Sequence, residues 1–185
     1  ETEKYLQKVL KTKQRISRAE AYDVSNIQGK EATGSMPVFI DGKPAKEHYR
    51  KFKIHITGKP NDFAMLKEVI GRRLSHPEWP YPDVMIIDGG KPQLSATLKA
   101  IEETIKQTIH KFHDREKSVR KIRSIRVAAI AKKHNELFLP GKSKPLLLRD
   151  MPQPVSNFIL HIRDEAHRFA VSYHRKLRQK ELLQK

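Results

Sequence analysis

Tyr5, Leu6, Val9 and Leu10 recur at helical spacing, so residues 2–14 are expected to form a short amphipathic helix. Beyond it the apolar pattern changes. Arg18–Ser25 reads as a first strand, with Ala32–Ile40 and Ala45–Ile56 as two more, joined by the hairpin signal Asp41-Gly42. Lys51 to Ile56 alternates basic and apolar residues, which gives that strand one wet, positive face. Asn61-Asp62 supplies an N-cap for a helix through about Leu74, and the proline-rich stretch His76 to Pro82 is a loop. Asp83 to Asp88 is a short apolar run of the kind buried inside a sheet. Gly89-Gly90-Lys91-Pro92 turns the chain into a long helix that runs on into the polar, basic stretch Lys106 to Arg123. Arg126–Ala131, Leu137–Leu139 and Leu146–Leu148 are strand-like. A last helix starts near Gln153 to Ser156 and reaches about Lys180.

Strands that come first as a meander and then alternate with helices predict an α/β fold, a mixed sheet flanked by helices. An RNase H-like fold has this order. The expected layout is a lead-in linker helix over 1–16 and one domain over 17–185, because 185 residues suit a single domain with an added helical segment.

Charge narrows the function. Lysine and arginine number 38 against 21 aspartates and glutamates, a formal net charge of +17. A small acidic ligand does not require so large a field. Nucleic acid does, since each neutralised phosphate releases counterions. The absence of cysteine excludes disulfides and thiolate metal sites and suits a reducing cytoplasm. No apolar run approaches the roughly 20 residues of a membrane-spanning helix, so no membrane partner is expected. The first residues are charged rather than signal-like, and a start without methionine suggests a piece of a longer protein.

Asp23 and Asp88 each close a strand and meet a turn. A mixed sheet can set the first strand beside the fourth, so that two carboxylates face one gap. Their repulsion makes this costly unless a cation lies between them. Mg2+ or Mn2+ suits such a site, being hard, oxygen-seeking and able to take phosphate oxygens. Taken singly, either aspartate is better explained as the cap of a turn or helix. His167 shares a helix face with Asp164 and stands among arginines, where an imidazole could ligate a metal or move a proton. Composition does not separate it from His161 and His174 on the same helix.

Four stretches carry a resemblance. Tyr22-Asp23-Val24-Ser25-Asn26-Ile27-Gln28-Gly29, Ile86-Ile87-Asp88-Gly89-Gly90-Lys91, Glu136-Leu137-Phe138-Leu139-Pro140-Gly141 and Arg163-Asp164-Glu165-Ala166-His167-Arg168-Phe169-Ala170 follow one another in order. Together with residues 41–46 and Tyr49-Arg50-Lys51-Phe52, they resemble the C-terminal nuclease half of the UvrC excinuclease subunit, from about Arg18 to Arg178. The resemblance implies an RNase H-like, metal-dependent endonuclease making the 5′ incision beside a lesion in bacterial nucleotide excision repair. It implies a catalytic and metal-holding set of Asp23, Asp88 and His167, with Asp62 as a further acidic site, although Asp62 also fits a helix cap. The implied partners are double-stranded damaged DNA and, for the full-length protein, a UvrB–DNA complex. Pro92 departs from the glycine expected there, and Lys106 to Arg123 looks like an insertion that lengthens a helix. The other nuclease, the UvrB-binding segment and the helix-hairpin-helix tail of the family are expected outside this chain, so the domain alone should bind damaged DNA weakly.

Lys91, Arg50, Lys51, Arg163, Arg168 and Arg175 are candidate phosphate contacts, Lys91 because it follows the Asp88 turn. Lys43, Lys46, Lys53, Arg72, Arg73, Lys132, Lys133, Lys176 and Arg178 extend the basic set. The rival readings are an endonuclease V-like repair nuclease and a non-catalytic DNA-binding module.

Overall fold

The computed structural model describes residues 1–25, 32–55, 61–111 and 115–183. The quoted motif residues Asn26 to Gly29, the end of the predicted third strand at Ile56 and the middle of the basic stretch at 112–114 lie outside the described residues.

The chain opens with α1 (Thr2–Val9), shorter than expected. Lys11 adopts φ 51°, and the Lys11 and Thr12 amides bond back to Lys8 and Gln7 carbonyls at 3.3 and 2.9 Å. This left-handed cap satisfies the terminal carbonyls and stops the helix. Leu6 and Leu10 stay buried against the body of the molecule.

Strand β1 (Arg18–Ser25) forms as predicted and organises the sheet. The expected strand Ala32–Ile40 is two, β2 (Thr33–Met36) and β3 (Val38–Ile40). Pro37 has no amide hydrogen to give to a ladder. Both pieces nevertheless run antiparallel to β1 without a change of register, and the Ala21 amide bonds the Pro37 carbonyl. Asp41 (φ 48°) and Gly42 (φ 78°) make the hairpin to β4 (Lys43–Pro44) with two left-handed residues, the turn whose twist fits paired strands. The predicted third strand is broken as well. A 3-10 turn at Lys46–His48 interrupts it before β5 (Arg50–Lys53), which pairs with β2.

Helix α2 (Asp62–Leu74) leads through the loop to β6 (Val84–Asp88). The single long helix expected next is two helices, α3 (Lys91–Lys111) and α4 (Glu116–Ser124). Both use apolar residues on the same core: Leu94, Ala100 and Ile101 from α3, Ile122 from α4. Strands β7 (Arg126–Ala131), β8 (Glu136–Phe138) and β9 (Leu146–Leu147) follow, and α5 (Gln153–Leu183) completes the fold.

The strands order as β4-β3-β1-β6-β7-β8-β9, with β2 and β5 continuing from the far half of β1. Neighbours β1, β6 and β7 are parallel and the rest antiparallel. This is the expected mixed α/β sheet, and the first strand does lie beside the fourth predicted one. Asp83 pins their register, since its Oδ2 accepts the Ser17 and Arg18 amides at 2.9 and 2.8 Å.

Side chains alternate between two cores. Met85, Ile87, Val127 and Ala129 point to α2, α3 and α4, whereas Val84, Ile86, Ala128 and Ile130 point to α1 and α5. A cluster of charged residues is buried on the first face. Glu20, fully buried, accepts from Arg18, Tyr22 and Arg73, and the Arg73 guanidinium also reaches the Pro80 carbonyl at 2.7 Å. Arg73 is therefore an interior residue and not the DNA contact its basic character suggested.

Candidate active site

Strand parity aims the two aspartates. Asp23 continues the Ala19, Ala21 series and Asp88 the Val84, Ile86 series, so both face α5. Gly89 follows at φ 149°, a conformation open to glycine, and its amide bonds the Ile130 carbonyl at 3.0 Å. Gly90 then starts α3: its amide donates to Gln93 Oε1 at 2.9 Å and its carbonyl accepts from Leu94. Pro92 sits in the first turn of that helix and leaves Asp88 at the strand end.

Helix α5 presents a stripe of Val155, Ile159, Ile162 and Ala166 to the sheet. His167 stands at the edge of this stripe with Nδ1 3.8 Å from Asp23 Oδ2. The structure separates the three histidines that composition could not. His161 lies edge-on to Phe39 at 5.2 Å, and His174 Nε2 is 2.6 Å from Ser25 Oγ. Asp164, which shares a face with His167 in sequence, instead pairs with Arg163 at 2.8 Å on the surface.

Asp23, Asp88 and His167 thus meet, and a fourth group joins them. Lys132 Nζ lies 2.8 Å from Asp88 Oδ2 and 3.2 Å from His167 Nδ1. In the sequence Lys132 is one basic residue among many. Its signal was position: it follows β7, the next parallel strand, with the parity of Ala128 and Ile130.

The electrostatics are those of a crowded acid pair. Asp23 is pushed up to about 7, first by burial and then by Asp88, whose carboxyl is within hydrogen-bonding reach; Lys132 opposes the shift and Asp62 adds to it. Asp62 is exposed at the start of α2, and Asn61 does the capping, accepting from the Phe63 and Ala64 amides at 3.0 and 3.4 Å. Asn61 and not Asp62 is therefore the cap; Asp62 is the acid of the first helical turn, where the helix dipole favours it, and it adds a small part to the upward shift of Asp23. Among the described residues no three carboxylate or imidazole groups form a ready metal cage. The donor set nevertheless fits a hard divalent ion, with two mutually repelling carboxylates and an imidazole beside them.

The proposed DNA contacts divide by what already holds them. Arg163 bonds Asn135 and Asp164 and is largely covered. Arg168 makes a two-point pair with Glu165, which also accepts from Tyr49 at 2.9 Å. Arg50 lies 4.9 Å above Trp79, and Lys51 lies over Phe169 and Tyr173 at 4.7 and 4.2 Å. Lys91 and Arg175 are exposed.

Comparison with known proteins identifies the family. A family model described as the UvrC RNAse H endonuclease domain matches residues 7–171. The UvrABC system protein C of Dictyoglomus thermophilum is 48% identical over 166 residues, covering 89% of this chain and 25% of that protein. That of Methanothermobacter thermautotrophicus is 42% identical over 167 residues, covering 90% and 25%. The chain spans about a quarter of the length of these relatives. Among solved structures, Ciona intestinalis endonuclease V bound to inosine-containing DNA aligns with a TM-score of 0.40 and 16% identity, over 63% of this chain and 46% of that one. Human ENDOV aligns with a TM-score of 0.37 and 12% identity, over 84% and 86%. Likenesses this slight carry no argument. The family match spans every described strand and the part of α5 that bears His167, and by it the chain belongs to the UvrC RNAse H endonuclease domain family.

Proposed function

We propose that this domain is the nuclease that makes the 5′ incision beside a DNA lesion in bacterial nucleotide excision repair, acting within a UvrABC system in the cytoplasm. Its substrate is damaged double-stranded DNA, presented in the full-length protein by a UvrB–DNA complex. The observation that carries the reading is the meeting of Asp23, Asp88 and His167 from three distant parts of the chain, beside Lys132.

Asp23, Asp88 and His167 would hold Mg2+ or Mn2+. When bound, the ion supplies a Lewis acid that acidifies the attacking water and offsets charge on the departing oxygen. The residues themselves set the stage. β1 and β6 fix the two carboxylates, and α5 brings the half-exposed imidazole up to them. Asp62, outside the cluster, adds negative potential without crowding it. Lys91 and Lys51 supply phosphate contacts that position the duplex without reading its sequence.

The test is cleavage of a lesion-bearing duplex. The chain replaces the matching quarter of a full-length UvrABC system protein C in a reconstituted reaction with manganese. Asp23→Asn and Asp88→Asn should each abolish the 5′ cut while DNA binding persists. Incision retained by both variants would remove the assignment, and preferential cutting of inosine-containing DNA would favour the endonuclease V-like alternative.

A further inference from the structure

We propose that Lys132 is a resident counter-cation of the candidate active site, occupying the same lone pairs of Asp88 and His167 that a divalent ion would take, so that metal binding requires its displacement. The inference rests on the metal-dependent reading above. Its basis is geometric. One ammonium nitrogen stands 2.8 Å from Asp88 Oδ2 and 3.2 Å from His167 Nδ1. Lysine is a donor only, so at that distance the imidazole nitrogen is the acceptor and its lone pair is engaged. Two of the three proposed metal-holding groups are thereby tied up by one side chain.

The arrangement answers the problem the fold creates. Parallel strands deliver Asp23 and Asp88 to one point, where their side chains are 13% and 11% exposed. Two such carboxylates repel each other, and a neighbouring cation relieves the strain. Lys132 suits a temporary role, because its side chain is 48% exposed and its flexible stem can leave. An ammonium freed from Asp88 stays at the mouth of the site, where a phosphate oxygen of the DNA is its next partner. Lys132 is thus a positioning residue, exchanging one anion for another as the site loads.

Manganese affinity is the readout, measured by calorimetry on the chain without DNA. Lys132→Met removes the competitor and leaves a more negative site, so manganese should bind roughly tenfold more tightly, or better. Lys132→Arg keeps the charge and should bind no tighter than the wild type. In EDTA the methionine variant should melt at a lower temperature than the wild type, and manganese should raise its melting point by more. A lysine that serves only the fold would give the opposite sign, because a damaged site binds metal more weakly. Lys132→Gln repeats the measurement should the methionine variant not fold. Unchanged or weakened manganese binding in both neutral variants, with a wild-type site that is lost in Asp88→Asn, overturns the role of Lys132 and leaves the metal reading standing. A wild-type chain with no Asp88-dependent manganese site overturns both.

Discussion

Tyr22 and Ile87 face each other across the parallel β1–β6 pair, and the residue after each is an aspartate. This one register places Asp23 beside Asp88. The bond from Asp83 to the start of β1 holds it there, since a slip of one residue would turn the carboxylate of Asp23 to the other face of the sheet.

Asp23 makes the metal-free protein sensitive to pH. Its folded-state pKa of about 7 lies above the ordinary carboxylate value, because burial and Asp88 disfavour its charge. The folded chain then holds a proton that the unfolded chain has released. Stability is greatest below the ordinary carboxylate pKa, falls as pH rises toward 7, and levels off above it. The loss is on the order of a few kcal/mol. In EDTA, melting temperature should fall between about pH 5 and 7.5, and Asp23→Asn should flatten that slope. Manganese at pH 7.5 should restore the wild type but not the variant. A wild-type slope unchanged in Asp23→Asn would remove the acid pair as its cause.

Asn61 and Asp62 are neighbours with separable tasks. Asn61 caps α2 through two amides, so Asn61→Ala should cost about 1 kcal/mol in urea unfolding. Asp62→Asn leaves the cap intact and removes a charge that acts on Asp23. It should leave stability within about 0.5 kcal/mol yet weaken manganese binding and slow incision. The opposite division, with Asp62→Asn unfolding the helix and leaving manganese binding untouched, would return Asp62 to a structural role.

Much of this was legible in the sequence, for identifiable reasons. The run Arg18–Ser25 and the apolar Val84–Asp88 are bounded by strong turn residues; Asp88 closes its strand as expected, whereas Asp23 does not, because β1 runs on through Val24 and Ser25, which pair with β2. What escaped was decided by packing or by backbone chemistry. Pro37 splits a strand whose register it leaves alone. α3 and α4 read as one helix because both carry apolar residues at helical spacing within a polar background. Arg73 looked like a DNA contact because nothing in its local sequence announces Glu20, a residue 53 positions away. Lys132 was hidden among 38 basic residues. Only the sheet order, with β7 beside β6, shows that its strand ends at the acid pair.

Lys51 and Arg73 should behave oppositely toward DNA. Lys51 lies over the rings of Phe169 and Tyr173 on a partly open surface, and its pKa is lowered by burial and by Lys176. A phosphate offers it a stronger partner. Lys51→Ala should weaken duplex binding across all sequences and reduce the slope of log K against log salt by about 0.9. Arg73→Met should leave that slope unchanged while costing about 2–3 kcal/mol of stability, because buried Glu20 loses one of its two guanidinium partners and keeps only Arg18 and Tyr22. Equal salt slopes for wild type and Lys51→Ala, measured by fluorescence anisotropy, would exclude Lys51 from the interface.

Gly34 fixes how closely α2 can approach the strand that backs the site. It pairs with Val24 of β1 and Phe52 of β5, one residue from the register partners Asp23 and Ser35. A Cβ at position 34 would stand 2.6 Å from Val69 Cγ2 and 3.3 Å from Cγ1. Val69 is completely buried in the core beneath α2, and its branched side chain is short and stiff. Gly34→Ala should therefore destabilise by about 1–3 kcal/mol through overpacking. Val69→Ala removes both offending methyl groups at its own cost of a cavity. The double variant should be more stable than the two losses added together, by about 1 kcal/mol or more in a urea double-mutant cycle. Because β2 is the antiparallel partner of the segment of β1 that carries Asp23, Gly34→Ala should also slow incision, and the added Val69→Ala should recover part of the rate. Strict additivity in the cycle would mean that α2 and β2 have room to separate, and the close approach would not be what holds Asp23 in place.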